Sequence, residues 1–176
     1  MAPLCALAPR SPAPRLPSRS RTPLSHDDCS QFVNDEDNFM VFGGCKNFLG
    51  HHKNCSNNVI AYPGLRGRSA GGRKCQTDDN GEFAEQYHEG NVCATPDGDY
   101  YSFSGCNASN LATTVFVTRN NTLLSDTGAA AWGGTCGVSA FSAWQALGQD
   151  AGSSTGTTPS IAELISKGAA KTLMRS

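Results

Sequence analysis

Short apolar segments of strand length recur along the chain, and turn-forming residues close each of them. The clearest are residues 38–43, 58–64 and 99–105, where aromatic and aliphatic residues stand between asparagine or aspartate and glycine. A fourth segment, 114–118, precedes another asparagine-rich turn. Aromatic and β-branched side chains favour extended backbone, and Gly, Asn and Pro end it. The pattern therefore predicts an all-β fold.

Asparagine residues accompany these segments at a loose repeat. Asn38, Asn58, Asn91 and Asn110 are 20, 33 and 19 residues apart, near or within the repeat lengths of about 20 to 50 residues that are typical of solenoids. In a solenoid, asparagine tolerates left-handed corners, and its amide can stack on the amide of the next repeat. A β-sandwich with asparagine-rich turns explains the same spacing, and the repeat alone does not separate the two folds.

Helical patterns are confined to the end of the chain. Ser142, with Gln145 three residues later, forms a capping-box pattern that predicts a short helix ending at Gly148. A second helix is predicted over residues 160–174. Its apolar stripe consists of Ile161, Leu164, Ile165 and Leu173. We expect this helix to lie over the last strands and to seal the open end of a solenoid; an independent surface helix is the alternative.

Composition and charge exclude several classes of function. The chain has 176 residues, which fits one domain, and carries 14 Lys and Arg against 15 Asp and Glu. A formal charge of −1 offers no basic field for a phosphate backbone. No run of the sequence approaches the roughly 18 apolar residues of a membrane-spanning helix. We therefore expect neither nucleic-acid binding nor a membrane span.

The start of the chain differs from the rest. Residues 1–23 contain six of the nine prolines and four arginines, and no acidic residue. Because such a segment cannot bury a core, we expect residues 1–24 to form a disordered tail and residues 25–176 to form the folded domain. The apolar stretch near the start is too short for a signal peptide, so a transit peptide or a truncated start is the expectation here.

Seven cysteines in the predicted domain indicate disulfides and an oxidising compartment. Their odd number leaves open a free thiol or a partner elsewhere, and none has the spacing of a structural zinc site. We expect a bridge between adjacent repeats, with Cys75 and Cys93 as the first pair, because they lie inside and just past the longest gap between the asparagines. Sequons at Asn54, Asn107 and Asn120 are compatible with glycosylation.

Two stretches combine these features. In the first, Asp27-Asp28-Cys29-Ser30 is followed by the asparagine-led segments 38–51 and 57–63. In the second, Ser142-Ala143-Trp144-Gln145 is followed by the run Gly-Gln-Asp-Ala-Gly-Ser-Ser at 148–154. They resemble the coils and the closing segment of right-handed parallel β-helix proteins of the pectate-lyase-like group, although Cys29 stands where that corner usually has glycine. The resemblance implies a short right-handed parallel β-helix, a solenoid, with a C-terminal helical cap.

This resemblance carries expectations about strands and function. Residues 38–42, 58–62, 100–103 and 115–117 should stack as parallel strands. The function would be association with carbohydrate, either binding or processing of a polysaccharide or glycan, in an extracellular or secretory-pathway protein whose enzyme status is open. The alternative is a non-catalytic structural or adhesive β-helix fragment. Aromatic and acidic side chains on one strand face would favour the first.

Asp27, Asp28 and His51 are the candidate catalytic residues. A D-D-C run followed about one coil later by Gly50-His51 resembles part of the polygalacturonase pattern, in which carboxylates hydrolyse a glycosidic bond. His52 stands where that family has glycine, and the sequence lacks the family's N-T-D and R-x-K motifs. The alternative is that both aspartates only cap a corner by accepting backbone N–H bonds.

Two further clusters could bind a cation. The run Asp-Asp-Asn-Gly-Glu at 78–82 has the acids of a Ca²⁺-dependent lyase, but Asn-Gly is first of all a turn. His51 and His52 are adjacent, and adjacent side chains of a strand point to opposite faces, so they should not share one ion. We therefore expect no metal and no cofactor. The sequence leaves the oligomeric state open.

Overall fold

The computed structural model describes residues 24–26, 30–47, 50–63, 74–78, 86–109, 111, 116–130, 132 and 135–173 of the chain. In this part of the chain the strands form three sheets, and every strand pair is parallel. The fold is therefore mostly β with parallel sheets, as the sequence predicts.

Each sheet takes its strands from successive parts of the chain. Sheet 1 contains β1 (Leu24–His26), β4 (Cys45–Asn47), β7 (Gln76–Asp78) and β10 (Tyr101–Phe103). Sheet 2 contains β2 (Gln31–Glu36), β5 (His51–Ser56), β8 (Gln86–Glu89) and β11 (Phe116–Arg119). Sheet 3 contains β3 (Phe39–Val41), β6 (Val59–Ala61), β9 (Val92–Ala94), β12 (Thr122–Ser125) and β13 (Ser154–Thr157). The helical elements are a short 3₁₀ helix (Thr135–Gly137), α1 (Phe141–Ala146) and α2 (Ile161–Leu173).

From β1 to β12 the chain visits the three sheets in turn, so each strand pairs with the third strand after it, and β13 is added to sheet 3 beside β12. We call each group of three consecutive strands a rung: β1–β3 form rung 1, β4–β6 rung 2, β7–β9 rung 3 and β10–β12 rung 4. This strand order is compatible with a β-helix-like fold. β1 begins at Leu24, the last residue of the predicted tail, and the rest of that tail lies outside the described residues.

The prediction that four segments form one stack is wrong in its detail. β3 and β6 do pair with each other in parallel. However, β10 lies in sheet 1 and β11 lies in sheet 2, because each rung turns two corners and contributes one strand to each sheet. Within the described strands none of the pairs is antiparallel, so the parallel part of the prediction holds.

An asparagine ladder connects the rungs at the corner between sheets 2 and 3. Its members are Asn38, Asn58, Asn91 and Asn121. In each rung the backbone N–H of the asparagine donates to the side-chain Oδ1 of the next one, over distances of 2.8, 2.9 and 2.9 Å. The last three of these side chains are at most 1% exposed. The predicted amide stack is confirmed with Asn121 as its fourth member, whereas the predicted fourth member, Asn110, lies outside the described residues.

A left-handed backbone precedes each asparagine of the ladder. The corner residues are Asp37, Asn57, Gly90, Asn120 and, after rung 4, Gly152, with φ between 54° and 72°. Asp, Asn and Gly adopt this conformation most readily. At Gly90 a side chain would also collide with a neighbouring rung, because a Cβ there would lie 2.7 Å from Oδ1 of Asn57.

The interior of the stack is apolar along sheet 3. Met40, Ile60, Cys93 and Leu123 are in register and are at most 4% exposed. Burial of each large aliphatic side chain contributes roughly 1.5–3 kcal/mol. The parallel register thus stacks like residues over one another and gives the rungs a continuous core.

Three disulfides lie in the described residues: Cys45–Cys55, Cys75–Cys93 and Cys106–Cys136. The predicted pair of Cys75 and Cys93 is confirmed. It does not join adjacent repeats, however, because it precedes β7 at one end and lies in β9 at the other, which places the bridge across the interior of rung 3. Three disulfides are typical of proteins that fold in an oxidising compartment.

Both predicted helices form, as α1 and α2, but the cap of the first and the docking of the second differ from the prediction. α1 has no side-chain cap, so the Ser142 capping box is wrong. Its Trp144 is fully buried and packs on Tyr101 and Phe103 of β10, in rung 4. α2 instead lies against the outer face of sheet 3, in contact with β3 and β6. No helix among the described residues has the length and apolar character needed to cross a membrane.

α2 begins at a reciprocal side-chain cap and packs on the sheet through one residue of its predicted apolar stripe. Ser160 and Glu163 form a reciprocal cap, with Ser160 N–H donating to Glu163 Oε2 over 2.9 Å. Leu164 is 2% exposed, whereas Ile161 and Ile165 are 65% and 53% exposed. The predicted stripe therefore reaches the sheet through Leu164 alone among these three.

Gly168 permits the close approach of α2 to rung 1. A Cβ at this position would collide with the ring of Phe39. We expect Gly168→Leu to lower the free energy of unfolding by about 2 kcal/mol, because the added side chain must displace the helix or the ring. Urea denaturation measures the loss. Ala170→Leu, at an exposed position of the same helix, is the control and should change stability by less than about 0.5 kcal/mol; equal losses in both variants would contradict the docking.

Candidate functional site

The outer face of sheet 2 carries a cavity of about 400 Å³. We call it the sheet 2 groove. It is lined by Phe32, Asn34, His52, Asn54, Tyr87, Glu89 and Arg119. All four strands of the sheet contribute to it, so the groove runs across the rungs.

Strand alternation explains which side chains face the groove. Lys53, Cys55 and His88 are buried on the inner face, so their neighbours in sequence point outward. The parallel register then aligns outward residues in columns about 4.8 Å apart. One column contains Asn34, Asn54, Tyr87 and Val117, and a second contains Glu36, Ser56, Glu89 and Arg119.

Hydrogen bonds fix the polar groups of the second column. Arg119 pairs with both carboxylate oxygens of Glu89, at 2.8 Å from Nε and 3.0 Å from Nη2. Asn54 Nδ2 donates to Glu36 Oε1 and to Ser56 Oγ, each over 3.1 Å. Bidentate and charge-assisted contacts of this kind hold side chains in one geometry. The groove thus presents preorganised donors and acceptors beside the ring of Tyr87.

An aromatic cluster forms the end of the groove at rungs 1 and 2. Phe32 is 71% exposed, stacks on His52 with ring centroids 4.7 Å apart, and meets His51 edge to face at 5.3 Å. Phe32 and His52 both have a left-handed backbone, with φ of 55° and 54°. This conformation breaks the alternation of side chains, so the prediction that His51 and His52 point to opposite faces is wrong.

The predicted catalytic residues are only partly described. His51 is the first residue of β5 and lies beside the groove, next to Phe32. Asp27 and Asp28 lie outside the described residues, as do most of residues 78–82. A catalytic unit of Asp27, Asp28 and His51 therefore stays a prediction.

Sequence reasoning missed Tyr87, Glu89 and Arg119. A signal for them exists, because each rung places outward side chains two and four residues before its ladder asparagine. Counting back from Asn91 gives Glu89 and Tyr87, and counting back from Asn121 gives Arg119.

His88 takes no part in the groove. It is fully buried, with its ring edge to face with Tyr101, and neither ring nitrogen has a partner in the described part of the chain. Burial lowers its pKa to about 3, so the ring is neutral at physiological pH. Among the described residues, no three His, Cys, Asp or Glu side chains are grouped so that they could hold a metal ion.

The fold and the groove define a protein of stacked parallel sheets with a polar and aromatic face. No protein-family model matches this chain, and no curated protein or solved structure matches it.

Proposed function

We propose that this chain forms a right-handed parallel β-helix domain of the pectate-lyase-like type that binds polysaccharide in the sheet 2 groove. The observation that carries the proposal is the lining of the groove by two aromatic rings, Phe32 and Tyr87, among amide, carboxylate and guanidinium groups. Ligand sites combine apolar surface with a few fixed polar groups. A polysaccharide offers both, in its ring faces and its hydroxyl groups.

Binding is better supported than hydrolysis within the groove. Glu89 is engaged by Arg119, and Glu36 accepts a hydrogen bond from Asn54. A general acid must be free to place a proton on the leaving oxygen, whereas both carboxylate oxygens of Glu89 are held by Arg119. Hydrolysis by Asp27, Asp28 and His51 is a separate hypothesis, and a structural or adhesive role is the alternative if no glycan binds.

An extracellular or secretory-pathway location belongs to the same proposal. The three disulfides support it. Two of the three sequon asparagines, Asn107 and Asn120, are exposed, whereas Asn54 is half-buried with its amide engaged by Glu36. If the chain is glycosylated, we expect the glycans at Asn107 or Asn120.

Removing the ring of Tyr87 tests the proposal. We expect Tyr87→Ala to weaken binding at least tenfold, because truncation of a central aromatic side chain typically costs more than about 1.4 kcal/mol of binding free energy. Isothermal titration with pectic, alginate and neutral glucan chains measures the affinity.

Two further variants serve as controls in this titration. Tyr87→Phe keeps the ring and should retain most of the affinity, and Leu147→Ala, at an exposed position outside the groove lining, should retain all of it. Failure of every polysaccharide to bind would replace the proposal by the structural or adhesive alternative. Equal affinity of wild type and Tyr87→Ala would move the binding site away from the groove.

A further inference from the structure

His51 and His52 converge although they are neighbours in a strand. Their Nδ1 atoms are 2.5 Å apart, and their ring centroids are 4.7 Å apart. The cause is the left-handed backbone of His52, with φ of 54°, which turns both rings to one side. Phe32 has the same conformation at the equivalent position of rung 1, so the feature is repeated in two rungs.

Two imidazole nitrogens this close together can share only one proton or one metal ion. Both Nδ1 atoms cannot carry a proton there, because two N–H groups would then point at each other. Neutral imidazole nitrogen is an acceptor for a proton or a ligand for a metal ion, and it suits zinc, copper and nickel, whereas calcium and magnesium prefer oxygen.

We infer that His51 and His52 bind one divalent transition-metal ion, of the zinc, nickel or copper(II) class, through their two Nδ1 atoms. Metal–nitrogen bonds of about 2.0–2.1 Å at a tetrahedral angle place the two nitrogens about 3.3 Å apart. The rings need to separate by less than about 1 Å to reach that distance.

Phe32 holds the two rings in place. It stacks on His52 at an interplanar angle of 30° and meets His51 at 86°. Both ligands are therefore oriented before the ion arrives, which lowers the entropy that binding must offset. No third His, Cys, Asp or Glu of the described residues is grouped with them, so the two histidines are the ligands that this inference assigns. The site stands whether or not the groove binds polysaccharide.

Titration of the full chain with metal salts alone tests this inference. Zn²⁺, Ni²⁺ and Cu²⁺ should each bind with a ratio of one ion per chain at this site, and copper should bind most tightly, as the usual affinity order for nitrogen sites requires. Ca²⁺ should not bind here. In a parallel NMR titration, substoichiometric Zn²⁺ should shift the ring signals of His51 and His52 and leave those of buried His88 in place.

Two variants remove one ligand each. His51→Gln and His52→Asn should weaken zinc binding at least tenfold; asparagine is chosen at position 52 because it tolerates the left-handed backbone. Phe32→Leu should weaken it less, since both ligands remain. Circular dichroism spectra equal to wild type would show that the variants fold. Zinc binding of wild-type affinity in both histidine variants, or no zinc binding by the wild-type chain, would overturn the inference.

Discussion

Replacement of Asp150 by alanine is expected to lower the free energy of unfolding by about 4 kcal/mol. Asp150 is fully buried at the end of the asparagine ladder. Its carboxylate accepts hydrogen bonds from the side chains of Tyr101, Trp144, Asn121 and Ser153, at 2.6 to 3.1 Å. Burial, together with the charge of Asp150, raises the pKa of Tyr101 well above its usual value, so the phenol stays protonated and donates. Alanine would leave these buried donors without an acceptor.

A matched pair of variants at Asp150 separates the effect of losing the hydrogen bonds from the effect of backbone strain. Asp150 has a φ of 49°, which asparagine tolerates and alanine does not. Asp150→Asn should lose less than alanine but still more than about 1 kcal/mol, because its amide donates toward one of the donors. Asp126→Ala, at an exposed position, should change stability by less than about 0.5 kcal/mol. Urea denaturation measures all three, and a loss below about 1 kcal/mol in Asp150→Ala would contradict the network.

The second large effect is a loss of stability in acid that depends on His88. Its pKa is lowered from 6.5 to about 3 by burial, so the unfolded chain binds a proton that the folded chain does not. On the neighbouring strands, His88 is in register with Cys55 of β5 and with Thr118 of β11. Cys55 is disulfide-bonded to Cys45, so neither neighbour carries a charge. The contribution is fully present above about pH 6.5 and is lost as the pH falls toward 3, by about 1.4 kcal/mol per pH unit.

Urea denaturation at pH 7, 5.5 and 4.5 measures this dependence. Carboxylates also contribute to acid denaturation, so the relevant quantity is the difference in slope between wild type and His88→Leu. We expect the variant to have the shallower slope, by about 1.4 kcal/mol per pH unit. Leu147→Ala, at an exposed position without a titratable group, should keep the wild-type slope. The same slope in His88→Leu and wild type would exclude His88 as the source.

The sequence predicts the ladder better than the strands it connects. Asn38, Asn58 and Asn91 were found because asparagine has a specific role at a corner. The fourth member is Asn121, and its signal lies one position earlier, because Asn120 adopts left-handed backbone readily. The predicted Asn110, which lies outside the described residues, follows serine. The three sheets could not be read from strand segments alone, since periodicity reveals a strand but not its partner.

The sequence likewise predicts one part of the candidate site and not the other. Tyr87, Glu89 and Arg119 follow from the ladder by counting, once its members are known. The convergence of His51 and His52 could not be predicted from the sequence. It depends on the left-handed backbone of His52, and no local sequence pattern indicates that conformation. The place of α2 was missed because an amphipathic stripe shows which face is buried but not what buries it.

α2 has a consequence for how the molecule unfolds. In stacked-repeat proteins each repeat contacts only its neighbours, so the ends can fray independently of the middle. Here Leu164 belongs to one buried cluster with Ala61 and Leu124, from rungs 2 and 4, and Gly168 lies against Phe39 of rung 1. Neither terminal rung can detach without breaking contacts to a helix that also holds the other. The helix thus makes a linear array behave as one cooperative unit.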